Sequence, residues 1–105
     1  MRQGTLIHRG NIMDRITLAH LQAIVDRINR MMGTPATPWT KGEDGKIHAN
    51  IGNYHLSGAY GGYALHQMMS DGGGVHDTLR CGHVAKRELA NRMHAFIAGI
   101  EAKAA

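Results

Sequence analysis

The sequence has little cysteine and no long hydrophobic run, and both absences exclude classes of protein. A single cysteine, Cys81, cannot form a disulfide within the chain, which is typical of proteins in a reducing compartment. No run of about 18 apolar residues is present, so a membrane-spanning helix is not expected. The polar start of the chain also lacks the apolar segment of a secretory signal. We therefore expect a cytoplasmic protein without a disulfide framework.

Length and composition predict one small folded domain. The chain has 105 residues, of which 43% are hydrophobic and 19% are charged, with a formal net charge of +4. This apolar fraction is too high for intrinsic disorder, and the length fits one domain. Residues 1–12 show no periodicity and are interpreted as a loose N-terminal head. Residues 13–105 are interpreted as a single domain.

A helix is predicted between Thr17 and Gly33. Apolar residues recur there at steps of three and four, which places them on one helical face. These residues are Leu18, Leu21, Ile24, Val25, Ile28, Met31 and Met32. The hydroxyl of Thr17 can cap the helix, and Gly33 followed by Pro35 is typical of a helix end.

The middle of the chain is predicted to form short strands. Residues 34–44 are interpreted as a connector because their two prolines exclude a helix, and Trp39 is expected to pack across the end of the core. From Ile47 to Ser57 apolar and polar residues alternate, but the apolar parity flips at Gly52-Asn53. A hairpin turn or a bulge at Gly52-Asn53 would explain the flip.

The segment Tyr63–Met69 is compatible with a helix or with a strand. Its residues favour a helix by propensity, whereas its position after a predicted Gly61-Gly62 turn favours a strand. We favour the strand. A loop over Ser70–Gly74 follows, and Leu79 and Val84 are predicted to point into the core.

A second amphipathic helix is predicted from about Ala85 to about Ile100. Its apolar stripe consists of Leu89, Met93, Phe96, Ile97 and Ile100. The order helix, two or three short strands, helix indicates an α+β fold, in which two amphipathic helices pack on one face of a small two- or three-stranded antiparallel sheet. The opposite, polar face of that sheet is either solvated or a contact surface.

No cofactor, metal site or catalytic residue is predicted. The chain has eight histidines, but only Cys81-Gly82-His83 has the close spacing of metal ligands, and a structural zinc site needs four. Nothing around Cys81 completes the signature of a cysteine hydrolase, and acidic residues beside glycines commonly cap turns.

A contact surface is predicted on the polar face of the sheet and its glycine turns. Its residues are His48, Asn50, Asn53, His55, Tyr60 and Tyr63. Exposed tyrosines commonly anchor protein interfaces, and a small domain can present several hundred Å² of surface. A sheet this small also has exposed edges, so a homodimer through an edge or a helix is consistent with it.

Two other kinds of partner fit the sequence. A basic group at the entry to the last helix would suit the phosphates of a nucleic acid. It consists of Arg80, Lys86, Arg87 and Arg92. The glycine loops at 58–62 and 72–74 would suit a phosphorylated nucleotide ligand through their backbone amides, although neither has the spacing of a known nucleotide-binding loop.

The segment Asn50–Leu65, with the later Gly-Gly-Gly-Val75 and Lys-Arg-Glu-Leu89, resembles a family of small accessory proteins encoded by tailed phages and prophages of proteobacteria. The resemblance covers roughly Leu18 to Ile100 and brings no catalytic residue with it. It implies a phage setting, in which such proteins often bind a host protein and some inhibit defence systems. The leading hypothesis is a non-enzymatic, phage-derived binding module that occupies a host protein.

Overall fold

The protein has an α+β fold, as the sequence predicts. The structure is a computed structural model that describes residues 15–104, so the interpreted head lies outside the described residues. The elements in chain order are α1 (Leu18–Met32), β1 (Trp39–Lys41), β2 (Ile47–Ala49), β3 (Tyr54–Ala59), β4 (Gly62–Met68), β5 (Val75–Asp77) and α2 (Lys86–Ala104).

Two antiparallel sheets are present in residues 15–104. The larger sheet has the strand order β3-β4-β5, and β1 pairs with β2 in a separate hairpin. Helix α1 packs on β3, helix α2 packs on β4, and the two helices contact each other. The fully buried side chains between helices and sheet include Leu21, Val25, Ile28, Leu65, Leu89 and Met93. The predicted packing of two helices on one face of a small sheet is therefore confirmed.

Helix α1 begins and ends where the sequence predicts. The Thr17 hydroxyl accepts a hydrogen bond from the backbone N–H of His20 at 3.0 Å. Gly33 ends the helix at φ 69°, a left-handed conformation that a glycine adopts at little cost. Both signals act locally, which is why they were readable from the sequence.

A buried asparagine on α1 joins the helix to the start of β3. The Asn29 side chain is 3% exposed, and its Nδ2 donates to the carbonyl oxygen of Tyr54 at 2.9 Å. The backbone N–H of Tyr54 donates to Asn29 Oδ1, also at 2.9 Å, and the Thr34 hydroxyl donates to the same oxygen at 2.8 Å. The amide thus makes the two hydrogen bonds that a neighbouring strand would make at the edge of β3.

The predicted hairpin or bulge at Gly52-Asn53 is wrong. Gly52 does lie in a turn at φ 95°, but the strands on either side belong to different sheets. The partner of β2 is β1, which forms within the segment interpreted as a connector. Trp39 lies in β1 and is 45% exposed, close to Gly73, so the prediction that it packs across the end of the core is also wrong. Three-residue strands are too short to show a period of two.

The hairpin between β3 and β4 turns one residue earlier than predicted. Ala59 pairs with Gly62, so the two-residue loop is Tyr60-Gly61, at φ 54° and 75°. Strand β4 runs from Gly62 to Met68, which confirms the predicted strand, rather than a helix, after this turn. A Cβ on Gly62 would lie 2.8 Å from the carbonyl oxygen of Val84, so this glycine permits close packing rather than a turn.

Helix α2 is longer than predicted. It extends to Ala104, and within its last turns Glu101 pairs with Arg27 of α1 at 3.2 Å. Leu79 and Val84 pack against the core, as predicted. Neither helix in residues 15–104 combines the length and the apolar character that a membrane span requires.

Candidate functional site

The structure does not place the six predicted contact residues on one sheet face. His48 and Asn50 belong to the β1-β2 region instead. His48 Nε2 lies 3.0 Å from a carboxylate oxygen of Asp44. The Asn50 side chain donates to the Thr37 carbonyl oxygen at 2.9 Å and to the Thr40 hydroxyl at 2.8 Å, so it braces this hairpin.

Asn53 and Tyr63 also lie elsewhere than predicted. Asn53 is 0% exposed, and its Nδ2 donates to the carbonyl oxygen of Pro35 at 2.8 Å. Tyr63 is half-buried and packs against the helix-facing core. Their placement on an open polar face is wrong because Asn53 is buried and Tyr63 shares its sheet face with Leu65. Asn53 still contacts one predicted residue, since its Oδ1 lies 3.1 Å from Nδ1 of His55.

His55 and Tyr60 do lie together, in a row of aromatic rings on the sheet face opposite the helices. The ring centroids of His55 and His66 are 6.0 Å apart, and those of His66 and His83 are 5.8 Å apart. Tyr60 continues the series, 5.6 Å from His83. Each contact is edge-on, with interplanar angles from 70° to 81°. We call these four residues the histidine row.

Strand register and one loop build the histidine row. His55 pairs with His66 across β3 and β4, so both rings project from the same face. His83 comes from the segment before α2, where Val84 forms an isolated bridge to Tyr63 of β4. The Ser57 hydroxyl lies 3.0 Å from His83 Nε2 and holds that ring over the sheet.

The face that carries the histidine row is only partly open. Ala64 and Met68 lie on it too, and they are 0% and 1% exposed. Asp77 pairs with His66 in the register of β4 and β5, and its Oδ2 accepts the backbone N–H of Gly82 at 2.8 Å. Asp77 Oδ1 is buried and has no hydrogen-bond partner within residues 15–104.

Two of the histidines favour the neutral form. Burial lowers the pKa of His55, and the nearby His66 lowers it further, while a backbone bond to Asn53 opposes this. Burial also lowers the pKa of His66, with the Asp77 carboxylate raising it and the His83 and His76 rings lowering it. The rings of His55 and His66 therefore favour the neutral form, in which each can both donate and accept a hydrogen bond.

These shifts predict a loss of stability in mild acid. The unfolded chain binds protons at these two histidines near the ordinary pKa of 6.5, and the folded chain binds them only at lower pH. The contribution of these two histidines to the free energy of unfolding should be fully present above about pH 6.5. It should be lost as the pH falls from there through the lowered pKa values. We expect the melting temperature to fall between about pH 7.5 and pH 5.

Thermal unfolding of matched variants checks this prediction. Replacing both His55 and His66 with glutamine should remove most of the pH dependence, whereas replacing the exposed His94 with glutamine should leave it unchanged. An equal fall in the double variant and the wild type would show that other groups are responsible.

The geometry of the row supports neither a bound metal nor a catalytic triad. No group of three or more histidine, cysteine, aspartate or glutamate side chains within residues 15–104 is arranged to hold a metal ion. Ser57 and His83 form a hydrogen-bonded pair, but in the same range no carboxylate bonds to the other nitrogen of the His83 ring. The rings are arranged for contact and hydrogen bonding.

Sequence reasoning missed His66 and His83, and for different reasons. A two-residue turn at Tyr60-Gly61 puts residue 55 opposite residue 66, so the His55–His66 pair was readable once the turn was placed correctly. The turn predicted one residue later gives a different register. No local signal brings His83 over β3, because its position depends on the path of the loop after β5.

The basic residues at the start of α2 form a looser group. Arg80 is exposed in a loop at φ 54°, and Lys86 is the first residue of the helix, with Arg87 beside it. Arg92 donates two hydrogen bonds to the Glu88 carboxylate, at 2.9 and 2.7 Å. Much of the charge of Arg92 is therefore compensated, which weakens the patch that a nucleic acid would contact.

In the glycine loop at 72–74, two backbone amides bond within the turn. In the turn between β4 and β5, the backbone N–H of Gly73 donates to the Ser70 carbonyl oxygen at 3.0 Å. The N–H of Gly74 donates to the Ser70 hydroxyl at 2.9 Å. Because these two N–H groups already have partners within the turn, they do not support the hypothesis of a phosphorylated nucleotide ligand at this loop.

One shallow depression of about 460 Å³ lies near the C-terminal end of α1, away from the histidine row. Asp26, Asn29, Arg30, Thr34, Ala36 and Thr37 line it. None of these residues was predicted to bind a partner.

Comparisons of the chain with protein families, with curated proteins and with solved structures found no match.

Proposed function

We propose that the chain is a non-enzymatic binding module. It binds a protein of a bacterial host through the histidine row. The phage origin and the inhibition of a defence system rest on the sequence resemblance. The observation that carries the proposal is the exposure of Tyr60. Its side chain is 96% exposed at the tip of the β3-β4 hairpin, although its ring is large and mostly apolar.

The backbone of Tyr60 supports a role for its side chain. A two-residue turn with positive φ at both positions favours asparagine, aspartate or glycine, because other side chains are strained there. Tyr60 occupies the first position at φ 54°. A residue that is unfavourable for the turn and contributes little burial is best explained by what its side chain contacts outside the chain.

The surroundings of Tyr60 also suit a protein partner. Its edge-on contact with His83 restricts the ring without burying it, so less conformational entropy is lost when a partner binds. Further along the row, His55 and His66 favour the neutral form, so they offer hydrogen bonds without a large desolvation penalty for charge. Tyrosines in such settings are common hot spots of protein interfaces.

Replacing Tyr60 with asparagine is expected to stabilise the fold while removing partner binding. Asparagine tolerates positive φ better than tyrosine, so the free energy of unfolding should rise by about 0.5–1 kcal/mol. Chemical denaturation of both chains measures this difference. A variant that is clearly less stable than the wild type would show that the Tyr60 ring serves the fold instead.

Photo-crosslinking in proteobacterial cells tests the proposed function. A photoreactive phenylalanine analogue at position 60 should capture one defined host protein, whereas the same analogue at Gln22, on the exposed side of α1, should not. Capture should be lost by competition with the wild-type chain and kept with the Tyr60→Asn chain as competitor. Equal capture from both positions would contradict the proposal.

The nucleic-acid alternative is separated by salt and by charge. Binding through phosphates weakens steeply as salt rises, whereas a contact centred on Tyr60 should change little. Reversing charge at Lys86 and Arg87 should leave the crosslink at position 60 intact. If that double variant abolishes binding and the captured molecule is a nucleic acid, the protein-binding proposal fails.

A further inference from the structure

The outer edge of β3 has unused backbone hydrogen-bonding groups. Within the described part of the chain this strand pairs with β4 alone, and Ala59 and Gly62 close the hairpin. In such a hairpin alternate residues bond to β4, so Tyr54, Leu56 and Gly58 direct their N–H and C=O groups outward. Asn29 binds both groups of Tyr54. Those of Leu56 and Gly58 have no hydrogen-bond partner among residues 15–104.

This edge also lacks the features that usually prevent strands from associating. Proteins protect exposed edges with lysine, proline, bulges or inward-pointing charges. The strand Tyr-His-Leu-Ser-Gly-Ala has no proline and no lysine, arginine or acidic residue, and its pairing with β4 runs without a bulge from Tyr54 to Ala59. An unprotected edge with two adjacent outward-facing residues is suited to strand addition.

We propose that a second copy of this chain pairs with this edge, antiparallel, about a two-fold axis at Ser57. Leu56 of one copy then lies opposite Gly58 of the other, and each such pair exchanges two backbone hydrogen bonds. Together the two pairs use the N–H and C=O groups of both Leu56 and Gly58 in each copy. Because the same segment supplies both halves, the contact closes on itself as a dimer and does not propagate into fibres.

The residues at the axis favour a second copy over an unrelated strand. Ser57 and Gly58 are among the smallest residues of the strand, so two backbones can approach there without a clash of side chains. The net charge of +4 is carried elsewhere, so like charges do not meet at the contact. Asn29 occupies both backbone groups of Tyr54, so the pairing does not extend to that residue. The register centred on Ser57 is the antiparallel one that uses the outward groups of both Leu56 and Gly58.

The proposed dimer joins the two histidine rows into one surface. Ser57 bonds to His83 within each copy, so the axis runs directly beside both rows. Three histidines from each copy then lie on one continuous six-stranded sheet. The pairing itself does not depend on the proposed function. The segment involved is short, so we expect a weak dimer that dissociates on dilution.

Sedimentation of the full-length chain tests the pairing. The wild type should approach twice the chain mass of 11.4 kDa as its concentration rises. Ser57→Lys and Ser57→Glu should each be monomeric, because like charges would face each other across the axis. An equimolar mixture of the two variants should dimerise again. The same two substitutions at exposed Gln22 are the control and should leave the wild-type dimer unchanged.

A disulfide variant keeps the test decisive if the charged variants fail to fold. Residues that face each other without backbone hydrogen bonds have Cα atoms about 4.5 Å apart, within the range of a disulfide. Ser57→Cys in a Cys81→Ser background should therefore crosslink on oxidation, whereas His55→Cys in that background should not. Equal crosslinking of both would contradict the register.

Other outcomes overturn the proposal. A wild-type chain that is monomeric at every concentration has no such dimer. Hydrogen exchange at Leu56 and Gly58 would then show whether another segment of the same chain protects the edge or whether it is open. If the wild type dimerises while the mixture of Ser57→Lys and Ser57→Glu stays monomeric, the contact lies elsewhere on the chain.

Discussion

Replacing Asn29 with alanine should lower the free energy of unfolding by about 2–4 kcal/mol, because two backbone groups would lose their partners. The N–H and C=O of Tyr54 both bond to this side chain, and Tyr54 is 5% exposed, so water cannot easily replace the amide. The melting temperature should fall by roughly 10–20 °C for a domain of this size.

Urea or thermal unfolding measures this effect, with Asn91 as the matched control. Asn91 lies on the exposed side of α2, and its replacement with alanine should change stability by less than about 0.5 kcal/mol. If Asn29→Ala cost no more than the control, the hydrogen bonds to Tyr54 would have to be replaced by water or by movement of the strand.

Replacing Gly62 with alanine is expected to lower the free energy of unfolding by about 2 kcal/mol and to displace His83. A Cβ at this position would lie 2.8 Å from the Val84 carbonyl oxygen and 3.0 Å from the His83 carbonyl carbon. Both are backbone atoms, so the loop must move as a unit. That movement would strain the bridge between Tyr63 and Val84 and the Ser57–His83 hydrogen bond.

Gly72→Ala is the control for this prediction. No atom lies within 4 Å of a Cβ built on Gly72, so that substitution should leave stability unchanged or raise it slightly. The NMR signals of the His83 ring should shift in the Gly62 variant and not in the control. Unchanged His83 signals together with wild-type stability would show that the loop accommodates the methyl group without strain.

Helix α1 was predictable in full because its signals are local. The hydroxyl of Thr17, the left-handed Gly33 and the apolar stripe between them each act within a few residues. The end of α2 was predicted too early. Its last turns are mostly exposed and follow no apolar stripe, and there the ion pair between Glu101 and Arg27 links the two helices.

The strands were harder to predict because their partners are chosen by tertiary contacts. The alternation from Ile47 to Ser57 correctly indicated strands on both sides of Gly52, which are β2 and β3. It could not show that β2 pairs with β1, the strand before it in the sequence. Three-residue strands carry too little pattern for that. Asn29 gave no signal at all, because the sequence pattern places it on the polar face of the helix, and its burial depends on a strand 25 residues away.

The candidate site was predicted in part for the same reason. His55 and Tyr60 do lie in one row, because both belong to the β3-β4 hairpin, and their contact with a partner stays a prediction. His48 and Asn50 were assigned to that surface through a pairing that does not form. His83 completes the row because the loop that carries it returns over β3. The periodicity of apolar residues does not predict the path of that loop.

The β1-β2 hairpin has a consequence for engineering the chain. The polypeptide leaves the main body at Pro35 and rejoins it at Asn53, and these two residues are joined by a hydrogen bond of 2.8 Å. A Cβ on Gly52 would touch the side chain of Thr34 at 3.5 Å, so exit and return share one position. Residues 36–51 can therefore be exchanged for a cassette of another length, such as a fluorophore carrier or an affinity peptide, provided that Gly52 is kept. The N–H of Gly52 donates to the Met68 carbonyl oxygen at 2.7 Å and holds the returning chain on β4.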